Sequence, residues 1–296
     1  MTDRRLTPFS GRVAHESLRG RVEAESFTSG DAARVVRDTM DLLSEPDLKA
    51  RGMVRQLRMG DRVTILDQVR GLVFLQSEKD GYCGWARHHE VNEVARQEMT
   101  HVVQARASHL YRWNDMKTSR RVIPVTLGAR MHVVADDGRF ATVSLPKPAD
   151  DHASAVAPSE DYFIPSPHLR PVAAHETDPV TVAERLLGAP YLWGGNSSVG
   201  IDCSGLIQLA LSLCGVDCPG DSDLQEAALG TTMPEGTPPR RGDLLFWKGH
   251  VAWVSDPATL LHANAHAMAV CYEPMAQAIA RIAAQGDGPV TRQARL

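Results

Sequence analysis

The chain has few cysteines, few aromatic residues and no long apolar run. Its five cysteines are odd in number and widely scattered, which excludes the disulfide framework that small secreted domains rely on. No apolar stretch approaches the roughly 20 residues needed to span a bilayer. The longest candidate, residues 206–216, is broken by Gln208, Ser212 and Gly215. An excess of positive charge is also missing. The net charge is −4 and no basic stripe with interleaved aromatics occurs, which argues against nucleic acid as a partner. The opening residues, 1–8, carry positive charge without an apolar core behind them, so they do not read as a secretory signal. These absences lead us to expect a cytoplasmic protein with no membrane partner. The 296 residues, 43% hydrophobic and 23% charged, suit an ordinary globular protein of two or three domains. They say nothing of oligomeric state.

What is present is concentrated in the C-terminal third. Tyr191-Leu192-Trp193-Gly194-Gly195 is followed by Asp202-Cys203-Ser204-Gly205-Leu206. Apolar residues then recur at helical spacing at Leu206, Leu209, Ala210, Leu213 and Cys214, and Gly215 supplies a stop. Cys203 therefore falls in the first helical turn, with Asp202 as its N-cap. The helix dipole and unpaired N–H groups at that position are expected to favour thiolate, the nucleophilic form. A buried structural thiol accounts well for Cys214. It does not account for glycines and polar residues flanking Cys203.

A cysteine nucleophile needs a base, and the base an orienting group. Leu244–Trp247 and His250–Val254 read as strands around Lys248-Gly249, and Thr259–Ala263 as a third strand after Ser255-Asp256-Pro257-Ala258. If His250 stands opposite His262, Val254 pairs with Ala258 and a short loop remains. Directly paired residues have Cβ atoms about 4.5–5.5 Å apart, close enough for one imidazole to bond the other. His262 then sets the tautomer of His250, as the third member of a triad does. Twelve histidines make some coincidence expected. A zinc site from His250, His262, His266 and a cysteine lacks the tight cysteine or histidine pairs that mark such centres, so we expect neither metal nor cofactor.

The pieces 190–195, 202–206, Gly242–Phe246, Gly249-His250-Val251 and Leu261-His262-Ala263, in this order and spacing, resemble the NlpC family of bacterial papain-like cysteine peptidases. The resemblance covers about 120 C-terminal residues. It implies Cys203 as nucleophile, His250 as general base and then acid, and His262 as orienter. The implied fold is a small antiparallel sheet packed against helices.

Upstream, residues 1–30 are polar and irregular, an arm that wraps another domain. Residues 31–97 read as short strands, including Arg62–Leu66 and Leu72–Leu75, with a hairpin turn at Asp80-Gly81 before Tyr82-Cys83-Gly84-Trp85. This resembles a bacterial SH3-like barrel. Residues 98–172 are expected to form a second SH3-like barrel, with strand candidates at 102–103, Arg121–Val125, Phe140–Val143 and Tyr162–Pro165. Between the last two, 146–161 is a loop by composition. The peptidase domain occupies 173–296, and the fold class is α+β.

Two SH3-like domains before an NlpC-type domain resemble a subgroup of peptidoglycan-peptide hydrolases. These cut the bond between γ-D-glutamate and a diamino acid, and they require a free N-terminal L-alanine. The resemblance implies a small muropeptide substrate, and the missing signal segment and unpaired cysteines lead us to expect a recycling role. Asp202 is then the partner of the substrate ammonium, Ser204 and Ser222 line the groove, and Tyr191 lines the site. The first SH3-like domain contributes Tyr82 and Glu45 to the ammonium pocket. A secreted endopeptidase acting on intact wall, or a non-catalytic wall-binding adaptor, are the competing readings. Arg240-Arg241 reads either as a solvated loop or as a site for a substrate carboxylate.

Overall fold

A computed structural model describes residues 3–47, 52–92, 98–120, 122–146 and 159–296. The chain divides into two compact units, Met1–Ala174 and His175–Leu296.

The N-terminal unit is built from antiparallel sheets around two cores. In the first, strands Cys83–Arg87, Leu72–Ser77, Arg62–Val69, Asp31–Val35 and Val91–Asn92 lie side by side in that order, beside a pair formed by Thr39–Leu42 and Arg55–Arg58. Val35, Met40, Leu42, Leu57, Val63, Val73 and Leu75 fill its interior. The expected turn at Asp80-Gly81 is present, with Gly81 at a φ of 72° that favours glycine. The N-terminal arm packs on this barrel: Arg12 and Ser10 both bond Asp67, and Ala14 is buried.

In the second core, strands Val122–Thr126, Ala107–Tyr111, Ser159–Pro165, Phe140–Pro146 and Val133–Asp136 form one sheet. His101–Val103 joins Arg130–Met131 and Leu169–Pro171 in another. The expected loop over 146–161 is too long at its C-terminal end. The ladder of Phe140–Pro146 with Ser159–Pro165 runs on to Pro146↔Ser159, because backbone pairing continues regardless of how polar the strand is. Residues 147–158 and Arg121 lie outside the described residues. Asp38 accepts from the Thr126 amide at 2.8 Å and so ties the two cores together.

In the C-terminal unit six strands lie in the order β1-β6-β2-β3-β4-β5, where β1 is Thr231–Thr232, β2 Leu244–Trp247, β3 His250–Asp256, β4 Thr259–Asn264, β5 Ala269–Pro274 and β6 Arg292–Arg295. Helices α1 (Pro179–Glu184), α2 (Cys203–Leu213), α3 (Ser222–Ala228) and α4 (Met275–Gln285) accompany them. The apolar spacing read around Leu206 becomes α2. This helix is buried on nearly all sides, from Cys203 through Leu211. Gly215 ends it at a φ of 74°, and a Cβ there would lie 2.8 Å from the His175 ring. Helix α4 lays Met275, Ala278 and Ile282 on Leu245, Ala252, Val254 and Leu260 of the sheet.

Candidate active site

The start of α2 explains the glycine-rich approach. Asp202 caps the helix: its Oδ1 accepts from the Gly205 amide at 2.6 Å and from the Ser204 hydroxyl at 2.9 Å. Its Oδ2 accepts from the Gly194 amide at 2.8 Å. The incoming loop must therefore lie against the first helical turn. A Cβ on Gly205 would sit 2.4 Å from the Gly195 carbonyl oxygen, so only glycine permits that approach.

Cys203 is 7% exposed and its thiol faces the backbone amides of Val251 and Ser204 as well as its own. Val251 follows His250 directly on β3, so the thiol lies against the stretch of strand that carries His250. The expected preference for thiolate is opposed at this site. Burial, then the Asp202 carboxylate, push the thiol up to about 12, and the three amides only partly offset this.

His250 opens β3, one residue past the glycine of a two-residue turn, and pairs with Trp247. Its Nε2 lies 2.9 Å from Nδ1 of His262, which is wholly buried. The expected strand register is corrected by two residues. Trp253 pairs with Leu261 and Val254 with Leu260, and Asp256 with Thr259 closes a Pro257-Ala258 turn. An irregularity at Ser255 and the Asp256 side chain, which accepts from the Ala258 amide at 2.9 Å, make this tighter turn. Carried on, the register sets Asn264 opposite His250, with His262 diagonal to it. A slip of two keeps the face, so the imidazoles still meet.

The diagonal continues onto β5. His262 Nε2 lies 3.0 Å from Oε2 of Glu273, and Arg281 of α4 grips that carboxylate through Nε at 2.9 Å and Nη2 at 2.7 Å. Asn264 Nδ2 also approaches His262 Nε2, at 2.9 Å. Glu273, Arg281 and Asn264 went unread in the sequence. Each takes its place through a fold contact, and none stands in a motif around Cys203.

Burial lowers the His250 imidazole to about 3, with His262 and Arg281 acting the same way and Glu273 opposing them. Burial likewise lowers His262 to about 4. Both histidines bind fewer protons folded than unfolded once the pH drops below the unfolded value of 6.5. Their contribution to stability is complete above that value and is lost as pH falls toward 4 and then 3. Each costs up to about 1.4 kcal/mol per pH unit in this window. The full chain is thus expected to melt at lower temperature at pH 5 than at pH 7, with a shallower dependence in His262→Gln. Equal acid sensitivity of the two proteins in thermal melts would contradict this.

The remaining residues singled out by sequence are placed as follows. Tyr191 lies beside Cys203 and Asp202, whose charges join burial in raising its hydroxyl. Ser204 is buried and donates to Asp202. Ser222 is a buried residue at the start of α3. That helix is fixed to α2 by Gln225, whose Nε2 donates to the Ser204 carbonyl at 2.9 Å. Tyr82 and Glu45 belong to the N-terminal unit. Tyr82 is packed in the first core, and Glu45 is exposed just after Thr39–Leu42. Arg241 is an exposed turn residue, as the solvated-loop reading expects. It bonds Asp178 at 3.0 Å, Glu184 at 2.9 Å and Thr181 at 3.0 Å, holding α1 in place.

Residues 188–283, which hold Cys203, His250, His262 and Glu273, match the NlpC/P60 family. The chain thus carries an NlpC/P60 cysteine peptidase domain. Residues 42–90 match the bacterial dipeptidyl-peptidase SH3 domain. The peptidase is 28% identical over 248 residues to dipeptidyl-peptidase 6 of Lysinibacillus sphaericus, across 78% of this chain and 87% of that protein. It is 24% identical over 231 residues to the gamma-D-glutamyl-L-lysine dipeptidyl-peptidase of Bacillus cereus, across 72% of this chain and 68% of that one. The crystal structure of an NlpC/P60 family protein from Bacillus cereus shares its fold, with a TM-score of 0.73 at 18% identity, over 89% of this chain and 99% of the other.

Proposed function

We propose that this peptidase hydrolyses the γ-D-glutamyl–diamino acid bond of peptidoglycan-derived peptides that carry a free N-terminal L-alanine. The observation that carries the reading is the Cys203 thiol lying between Asp202, Tyr191 and the Val251 amide, next in sequence to a His250 that is bonded to His262. The names of the relatives, dipeptidyl-peptidase and gamma-D-glutamyl-L-lysine dipeptidyl-peptidase, point the same way. In the reaction, Cys203 Sγ attacks the γ-carbonyl of D-glutamate while His250 takes the thiol proton. The amine leaves with that proton, and an acyl-enzyme remains. Water, deprotonated by His250, then releases the acyl group. Amides at the N-terminus of α2, that of Cys203 among them, stabilise the developing oxyanion.

A substrate ammonium near Asp202 meets the negative charge that otherwise opposes thiolate formation. Incubation with L-Ala-γ-D-Glu-diaminopimelate and its lysine counterpart is expected to give L-Ala-D-Glu and the free diamino acid, identified by mass. N-acetylating the L-alanine leaves buried carboxylate without its counter-charge, a loss on the order of 2–5 kcal/mol. That lowers kcat/KM by about 30-fold or more. Equal cleavage of acetylated and free substrates would favour action on intact wall instead. All five cysteines are free thiols, which supports a reducing compartment and a recycling role. Recovery of the native protein from the medium or periplasm would overturn that location.

A further inference from the structure

His262 Nε2 faces two groups that make opposite demands. Glu273 Oε2, at 3.0 Å, can only accept a proton, whereas Asn264 Nδ2, at 2.9 Å, can only donate one. The asparagine cannot resolve the conflict by turning over, because its Oδ1 already accepts from the Ala267 amide at 2.7 Å. We propose that Glu273, anchored by Arg281, is a positioning residue that fixes His262 as its Nε2–H tautomer and so leaves Nδ1 of His250 as the proton acceptor. The proposal rests on the reading of Cys203 and His250 as nucleophile and base.

The direction of the 2.9 Å bond between the two imidazoles follows from that choice. With hydrogen on His262 Nε2, the lone pair is on its Nδ1, and His250 must donate from Nε2. The other nitrogen of His250 is then bare and can take the thiol proton. In the opposite tautomer His262 donates from Nδ1, His250 carries its hydrogen on Nδ1, and it has no lone pair there for the thiol. When His250 becomes imidazolium both its nitrogens donate, and only an accepting Nδ1 of His262 tolerates this.

The carboxylate prevails over the amide because a charge-assisted hydrogen bond is roughly twice as strong as a neutral one. Arg281 keeps Glu273 ionised, holding its carboxyl below the usual range through two hydrogen bonds. The full burial of His262 admits no water as a substitute partner. Nearby groups are the Trp247 ring on β2, Cys271 on β5, whose Sγ is 3.4 Å from Asn264 Nδ2, and, on the Cys203 side, Asp202 at the N-cap of α2 and Tyr191 in the loop leading to it. Among these partners, Glu273 and Asn264 are the two that contact Nε2 of His262.

The test is the tautomeric state of His262 in the full chain labelled with ¹⁵N-histidine, read from long-range ¹H–¹⁵N correlations at pH 7. The wild type is expected to show the Nε2–H form. In Glu273→Gln, Arg281 claims the amide oxygen, the NH₂ group turns to His262, and the Nδ1–H form should replace it. kcat should fall about 10²–10⁴-fold with KM little changed, the scale seen when a serine triad's imidazole is held in the wrong tautomer. Adding Asn264→Asp to Glu273→Gln places an acceptor against Nε2 again, and should restore the Nε2–H form and most of the lost kcat. An Nδ1–H form in the wild type overturns the proposal without any variant. A Glu273→Gln protein with unchanged tautomer overturns it as well, whatever its activity. The spectra need no substrate, so inactivity toward the tripeptides would sink the proposed function and leave this question decided separately.

Discussion

Cys203→Ser and His250→Ala are each expected to lower turnover of the tripeptide on the order of 10⁴–10⁶-fold, the range for loss of a nucleophile or its base from a unit that works together. The fold should persist in both. Serine differs from the 7%-exposed cysteine by one atom and can still accept from the Val251 amide. Alanine at His250 leaves His262 its bond to Glu273 at 3.0 Å. Comparable far-UV spectra and melting points, set beside product formation by mass, separate loss of chemistry from loss of structure. Full activity in either variant would remove Cys203 and His250 from the reaction. An inactive wild type would leave the wall-binding adaptor as the better reading.

Alkylation of Cys203 by iodoacetamide in the free enzyme should rise about tenfold per pH unit from pH 7 to pH 10, roughly a thousandfold in all. The reason lies in two opposed shifts: the thiol is pushed up to about 12 and the His250 imidazole down to about 3. Both shifts disfavour a preformed thiolate–imidazolium pair at neutral pH. Proton transfer then belongs to the attack itself, helped by a substrate cation that neutralises Asp202. A rate plateau between pH 5 and pH 8 would show a preformed pair and refute this account. The expectation from the helix dipole alone ran the other way. A dipole acts with about half a charge through the first turn, whereas burial removes the whole solvation of a thiolate.

That reversal shows what was legible in the chain. Local chemistry read well: Asp202 as cap, the stop at Gly215, the turn at Lys248-Gly249 and the contact of His250 with His262 all follow from residue type and spacing. The register of β3 and β4 was misplaced by two, because an irregularity at Ser255 changes how many residues the turn consumes. Period-two alternation protected the face, though not the pairing. Glu273 and Arg281 were invisible for another reason. They meet only once β5 and α4 have folded back on the sheet, and a glutamate and an arginine eight positions apart carry no signal of their own. The partners of Arg241 went unread for the same reason, since they lie some sixty residues earlier. In the N-terminal unit the strands of the first core were clearer than those of the second, where a polar strand beginning at Ser159 imitates a loop.

Carrying the nucleophile on the helix that forms the centre of its unit has a consequence for how the enzyme fails. Loop-borne catalytic groups can drift or detach while the body of a protein stays folded, so such enzymes lose activity before they melt. Helix α2 has almost no free face, and its first turn is stitched to the preceding loop through Asp202. Opening that turn means opening the most protected region of the C-terminal unit, in a single cooperative event. Loss of activity is therefore expected to coincide with unfolding of the C-terminal unit.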